Sequence, residues 1–267
     1  MNEYKQQVID FFNRRTNYDD EGIRHPREAK RLLASIPIQP GQKILDLATG
    51  TGLLAIAAAR QVGKTGTVIG VDFSPEMLQQ ARQKILALGI DNLKLIEADI
   101  ESIQFNPNSF DAIFCCSAIT YLVDIPTALQ NWYQWLKPKG YLAFTTPAKT
   151  AYLASIQVKV CEKILGISLP HINEPLWTPE KCHNLLQQAG FSEIEVEIEE
   201  SGEYLPFNNR WVNWSGNGFY PRGNPLVNLS SQQLEQLKAE YQREIEKLAT
   251  DRGIWYDRTT FFVQARK

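Results

Sequence analysis

Between Gln42 and Pro147 short apolar runs alternate with amphipathic ones, a pattern that admits little besides a parallel sheet covered by helices. "KILDLA" reads as a first strand, and residues 51–61 as its helix. "GTVIGVD" is a second strand ending at Asp72; the helix after it runs from Pro75 to about Leu88, with Ser74 as N-cap. "NLKLIEAD", "FDAIFCCS" and "PKGYLAFTTP" follow as strands three to five, with a helix over 125–136 before the last and a tight turn at Lys139-Gly140. Beyond Pro147, helices are expected over 151–165 and 179–189, Gly190 closes the second, and "FSEIEVEIEE" alternates as a strand with one wet face. A stretch rich in Asn, Gly, Pro and aromatics then leads to a long helix. That helix opens on a Ser230/Gln233 capping box and carries the stripe Leu234, Leu237, Tyr241, Ile245 and Leu248. "TTFFVQARK" closes the chain as a last strand.

A length of 267 residues suits one large α/β domain with an insertion. The expected division is an N-terminal helical lid over 1–40, a core over 41–202 and 258–267, and an aromatic, helical insertion over 203–257. A formal charge of −2 gives no electrostatic footprint for nucleic acid or for an anionic membrane. The four cysteines, with Cys115 and Cys116 adjacent, fit neither a disulfide framework nor a spaced zinc site, and read as free thiols in a reducing compartment. The N-terminus is unlike a signal peptide and no apolar run nears the ~20 residues of a membrane span, so a cytoplasmic protein, monomer or homodimer, is expected.

The segment "GTGLLA", Gly50 to Ala55, satisfies G-x-G-x-x-G/A directly after a strand and at a helix start, where glycines let the backbone turn sharply and approach a ligand. Asp72, ending the second strand, stands where an acid grips a ribose diol. A nicotinamide dinucleotide and an adenosyl compound both meet these two conditions. Asp46 separates them: a carboxylate just before the glycine turn repels a pyrophosphate and attracts an ammonium group. S-adenosylmethionine has both an ammonium and a ribose diol.

"ILDLATGTG", "VIGVDFSPEML", "LIEADIESIQF", "FDAIFCCSAITYL" and "LKPKGYLAF" occur in an order and spacing that resemble the class I S-adenosylmethionine-dependent methyltransferases, most of all their ubiquinone/menaquinone-biosynthesis-type, small-molecule branch. The similarity covers about residues 42–147. Ala48 departs from it, standing where the family's loop usually carries its first glycine. The resemblance implies a Rossmann-like, doubly wound seven-stranded sheet of order 3-2-1-4-5-7-6 with the last strand antiparallel. It also implies a donor site in which Ala48, Gly50 and Gly52 line the methionyl part, Asp46 meets its ammonium and Asp72 binds the ribose. Phe73 or Met77 would pack on the adenine, Asp99 would accept from its amino group beside Ile100, and Ser117 would lie at the methyl-donor end. Asp99 has a competing reading as a helix N-cap. By analogy with the family's lid, Tyr18 would close on the methionyl carboxylate.

On the acceptor side the candidates are His171, in a loop after the helix that follows strand five, His25 in the lid, and Tyr121 beyond strand four. Trp211, Trp214, Phe219, Tyr220 and Trp255 line either an apolar acceptor pocket or a small core of the insertion. Arg210 and Arg222 are candidate partners of an acceptor carboxylate. No metal site is expected, since Asp124 comes too late to match the family's metal-dependent branch. The expected reaction is methyl transfer to a small hydrophobic or aromatic, natural-product-like molecule, with oxygen, a carboxylate included, favoured over nitrogen or carbon. An NAD-dependent oxidoreductase and a non-catalytic cofactor-binding module are the alternatives.

Overall fold

The computed structural model describes residues 3–209, 212–214 and 218–267. Strands β1 (Lys43–Leu47), β2 (Thr67–Asp72), β3 (Leu93–Glu97), β4 (Phe110–Cys115), β5 (Leu136–Pro147), β6 (Ser192–Glu199) and, last in the chain, β9 (Thr260–Arg266) form one sheet in the order β3-β2-β1-β4-β5-β9-β6. Strand β9 runs antiparallel to both of its neighbours and β1 to β5 pair in parallel, as the family resemblance implies. A separate ribbon of β7 (Gly202–Leu205) and β8 (Ile254–Asp257) stands outside the sheet.

Helices α1 (Glu3–Asn13), α2 (Arg24–Ala34), α3 (Leu53–Val62), α4 (Pro75–Ala87), α5 (Ile125–Trp135), α6 (Ala154–Leu165), α7 (Pro179–Gln188) and α8 (Ser231–Glu246) complete the chain. Their starts follow side-chain capping. Ser74 accepts from the Met77 amide at 3.3 Å, Asp124 from Thr127 at 3.1 Å and Thr178 from Lys181 at 3.3 Å, each with a proline in the first turn. The Ser230/Gln233 capping box forms, and Leu237, Tyr241 and Ile245 of the predicted stripe are buried, whereas Leu248 lies beyond the end of α8 and is exposed.

Strand alternation divides the core. Leu45, Leu47, Ile113 and Cys115 face α5 and α7 with Trp132, Trp135 and Leu186, while Ile44, Ala112 and Phe114 face α2 and α3 with Leu32, Ala55 and Ala58. A third cluster, built from α6, α8, β7, β8 and the segment between β7 and α8, holds Val160, Leu205, Trp214, Tyr220, Tyr241 and Ile254. The helix expected over 151–165 is interrupted: Tyr152 (φ 63°) and Leu153 (φ 58°) are left-handed, so a 3-10 turn over Ala151–Leu153 precedes α6. The Tyr152 hydroxyl is held at 2.6 Å by Arg24 of α2, a contact distant in sequence.

Candidate active site

Asp46 shares the face of Ile44, and at the carboxyl end of β1 that face gives way to an open cleft. The side chain is 2% exposed, and its Oδ2 accepts from the Thr49 hydroxyl at 2.6 Å. Burial pushes the carboxyl up to about 7; the Thr49 hydroxyl and the Ala55 amide offset part of this, and neighbouring Asp72 adds to it. Room for Thr49 comes from the next strand. A Cβ on Gly70 would lie 2.9 Å from Thr49 Oγ1 and 2.9 Å from Leu95 Cδ2, so any larger residue there would push Thr49 or Leu95 aside.

The turn after β1 is built from left-handed residues: Ala48 (φ 54°), Gly50 (φ 53°) and Gly52 (φ 79°). The predicted helix therefore starts two residues late, at Leu53. The Gly50 amide donates to Asp72 Oδ2 at 2.8 Å and the Ser74 amide to Oδ1 at 2.9 Å, which ties the two strand ends together. Burial pushes Asp72 up to about 6, with these amides opposing. Two buried carboxylates thus share the cleft.

Phe73, Met77, Asp99 and Ile100 line the cleft beyond Asp72. Asp99 opens a turn, accepting from the Glu101 amide at 2.9 Å, so the helix N-cap reading does not apply. Its Oδ2 pairs with Lys5 of α1 at 2.5 Å, and Lys5 also reaches Glu101 at 2.8 Å. Sequence reasoning found none of the α1 residues at the cleft: Tyr4, Lys5, Val8 and Phe12 all line it. The apolar period of this helix is visible in the sequence, but not what it covers. Asn13 accepts from Ser74 at 2.7 Å, and Asp19, next to Tyr18, accepts from Thr51 at 2.5 Å, so the N-terminal segment is fastened onto the glycine turn.

Tyr18, His25, Ser117 and Tyr121 line the same cleft. Tyr18 stacks on His25 with centroids 4.8 Å apart, under the Arg15 guanidinium at 4.3 Å. Burial, reinforced by Arg24 and Arg15, pushes His25 down to about 4, so its imidazole is neutral at physiological pH. Tyr121 packs edge-on against Phe12 and Phe219 at 5.6 and 5.4 Å, and burial raises its phenol. Cys116 also faces the cleft, its thiol pushed up to about 12 by burial and by Glu28, which keeps it a poor nucleophile. The whole cleft encloses roughly 1000 Å3, open solvent at its mouth included.

A methyltransferase-domain family model matches residues 38–190. The chain is 30% identical over 181 residues to the aklanonic acid methyltransferase of a Streptomyces species, spanning 66% of this chain and 81% of that protein. It is 33% identical over 181 residues to a ubiquinone/menaquinone biosynthesis C-methyltransferase of Klebsiella pneumoniae, spanning 62% and 72%. The chain is a class I S-adenosylmethionine-dependent methyltransferase. The fold agrees with that of the Haemonchus contortus phosphoethanolamine N-methyltransferase 2 bound to S-adenosyl-L-methionine, with TM-score 0.59, 21% identity and coverage of 100% of this chain and 60% of that one. The dehydrogenase and non-catalytic readings are thereby overturned.

The methyltransferase's own residues fit its donor. Asp46 and Asp72 are buried with raised carboxyls, and their hydrogen-bond partners are a hydroxyl and backbone amides rather than a cation, an arrangement that a bound cation with a hydroxyl pair relieves. Other expectations are corrected. Gly52 is not on the cleft wall; a Cβ there would meet Ile56 at 3.3 Å and Ala81 at 3.4 Å, so its place is the tight packing of α3 on α4. His171 lies off the cleft, 4% exposed, its Nδ1 accepting from the Asn173 amide at 3.2 Å and its Nε2 against the Lys149 carbonyl at 3.1 Å. It fastens a loop. Arg222 is spent on the carbonyls of Glu174 and His171 at 2.8 and 2.7 Å, which leaves it poorly placed for an acceptor carboxylate. Trp214 and Tyr220 belong to the third core and Trp255 is 46% exposed, so of the aromatic group Phe219 alone, among the described residues, approaches the cleft wall. Arg210 and Trp211 lie outside the described residues. Among those residues no cluster fit to hold a metal ion occurs, and no helix is long and apolar enough to cross a membrane.

Proposed function

We propose that this methyltransferase alkylates a small aromatic or hydrophobic acceptor of quinone or polyketide type, at an oxygen atom. The observation that carries this reading is the aromatic lining of the cleft, to which Phe12, Tyr18, His25 and Tyr121 contribute beside Asp46 and Asp72, with Phe219 packed on Tyr121. A flat ring slides between such walls with little loss of freedom. The names of the relatives point the same way: one is named for aklanonic acid and the other for ubiquinone/menaquinone biosynthesis.

S-adenosylmethionine supplies an already activated methyl group. The protein's part is therefore alignment and exclusion of water. On this reading Asp46 holds the ammonium, Asp72 the ribose, Ala48 and Gly50 the methionyl backbone, and Phe73, Met77, Asp99 and Ile100 the adenine. Lys5 competes for Asp99, so donor entry requires α1 to shift or Lys5 to share the carboxylate. Residues 1–40 act as the lid, with Tyr18 over the donor, and residues 203–257 as the acceptor-side cap.

Incubation with isotope-labelled donor and a set of hydroxylated naphthalenes and anthraquinones, followed by mass spectrometry, tests the reading. A product one methyl heavier with a methyl resonance typical of O–CH3 is expected; methylation of amines alone would refute it. A carbon acceptor is the second reading, favoured by the name of the Klebsiella relative, and a C–CH3 resonance would select it.

A further inference from the structure

Ser117 is a non-glycine residue in the left-handed region, φ 54°, two residues beyond the end of β4. Such a conformation persists only where surroundings impose it, and here the Ser117 amide donates to Thr145 Oγ1 at 2.7 Å. The strained backbone turns the hydroxyl onto Glu28 Oε2. Glu28 is 2% exposed, sits on α2 between cleft-lining His25 and Ala29, and does not itself reach the cleft wall. Its other oxygen pairs with Arg24 Nε at 3.0 Å, and Arg24 Nη1 holds the Tyr152 hydroxyl at 2.6 Å. Tyr152, at the far end of this relay, is likewise left-handed. A buried carboxylate therefore communicates with the acceptor end of the cleft through a single hydroxyl.

We propose that Ser117 and Glu28 form a proton-accepting pair that selects a neutral hydroxyl acceptor over a carboxylate. The inference rests on the reading of oxygen methylation given above, which leaves both acceptor kinds open. Ser117 commits its own proton to Glu28 and so presents lone pairs, to which an acceptor hydroxyl donates. As the O–CH3 bond forms and the S–CH3 bond breaks with its electron pair left on sulfur, the acceptor's O–H proton passes to Ser117 Oγ. The Ser117 proton passes in the same step to Glu28, which ends as the neutral acid. An acceptor carboxylate offers Ser117 no proton and meets the Glu28 charge across it. Ser117 is the catalytic residue of the pair, and Glu28 acts through it. The groups facing Glu28 are the Arg24 guanidinium on α2, the Tyr152 phenol and the Cys116 thiol, the last two kept protonated by burial. Burial, with Arg24 and Arg15, opposes a charge on His25.

The test compares the whole protein with its E28Q and S117A variants, using 1-naphthol and 1-naphthoate as probes and S-adenosylhomocysteine calorimetry as a check on the donor site. The unaltered enzyme is expected to methylate 1-naphthol in preference to 1-naphthoate, and its S-adenosylhomocysteine complex to bind 1-naphthol more tightly. E28Q should bind S-adenosylhomocysteine as before and transfer about 100-fold more slowly at neutral pH, the loss of a general base. Its rate should recover at alkaline pH, where naphthol ionises unaided, and its binding preference for 1-naphthol over 1-naphthoate should shrink. S117A should show the same slow transfer at neutral pH and the same recovery at alkaline pH. Unchanged transfer in E28Q, a loss that is the same at every pH, or preference for 1-naphthoate in the unaltered enzyme would overturn the pair. Failure of the unaltered enzyme to bind S-adenosylhomocysteine would instead remove the donor site beneath it.

Discussion

The two ends of the cleft are made differently. On the proposed assignment the donor residues are those of 46–77 with Asp99 and Ile100, each aimed by a strand end, a turn or a cap within a few residues of it, with Lys5 of α1 added at Asp99. On the same assignment the acceptor residues come from α1, α2 and the residues after β4, with the 3-10 turn over Ala151–Leu153 and Phe219 packed behind them. Local chemistry fixes the first, and packing between distant elements fixes the second. The donor end should accordingly respond to single changes in its turn, while the acceptor end should respond to changes in what fastens the lid and cap.

The largest effect expected at the donor end is that of Asp46→Asn, which should weaken donor binding by about 1.5 to 3 kcal/mol, the scale of a charge-assisted hydrogen bond. The same change should stabilise the donor-free protein. Burial raises the folded-state carboxyl to about 7, above its ordinary 3.8, so ionising it in the folded state costs stability progressively as pH rises between those values. The uncharged amide removes that cost, and the gain in melting temperature should be large at pH 8 and shrink towards pH 4. Donor binding favours the ionised form, so affinity of the unaltered enzyme should rise with pH up to about 7 with proton release, measured by calorimetry in buffers of different ionisation heat. Equal affinities at pH 5.5 and 8 would take Asp46 out of the ammonium site.

Gly70→Ala reaches the same carboxylate from the neighbouring strand. The added methyl would sit 2.9 Å from Thr49 Oγ1 and from Leu95, so the protein should lose about 1 to 3 kcal/mol by overpacking. Donor affinity should fall with it as Thr49 is driven off Asp46. A destabilised protein with intact affinity would show that Thr49 does not orient the acid.

This asymmetry explains what the sequence disclosed. Sheet order, the capped helices and the gathering of Asp46, Asp72, Phe73, Met77, Asp99 and Ile100 along one cleft were legible because strand alternation and cap residues act over one turn of chain. Gly52 was misjudged because a glycine that approaches a ligand and one that admits a neighbouring helix leave the same letter at the same spacing. Lys5, Phe12 and Glu28 were invisible, since nothing near them in sequence indicates what they meet across the fold. The break at Tyr152 was hidden for the same reason: the residues there favour a helix, and Arg24, 128 positions earlier, holds the phenol.

His171 marks the border of the acceptor end, and its replacement tests whether that border is drawn correctly. His171→Ala should cost about 1 to 2 kcal/mol through the orphaned Asn173 amide, since the Lys149 carbonyl still accepts from Ser155 at 3.0 Å. Turnover on any accepted substrate should stay within about twofold, far short of the loss of a general base. Burial lowers the imidazole to about 4, so its stabilising contribution is complete above its ordinary 6.5 and is lost as pH falls from there towards 4. The gap in melting temperature between variant and unaltered enzyme should therefore close on acidification. A turnover deficit at constant stability would return His171 to the chemistry.

The smallest effect separates strain from contact within the donor turn itself. Ala48 holds φ 54° with a methyl group, a conformation that costs an L-residue about 1 to 2 kcal/mol and a glycine almost nothing. Ala48→Gly relieves that strain but frees the unfolded chain, which returns roughly 0.4 to 1 kcal/mol. The remainder, below about 1 kcal/mol, should raise the melting temperature by at most a few degrees in a chain of this size. Asp46, Gly50 and Asp72 keep their hydrogen bonds in this variant, so donor affinity should not change measurably. If it falls instead, the Ala48 methyl is packing against the donor rather than merely being tolerated by the turn. The departure from the family's glycine would then be a contact built into the legible half of the site.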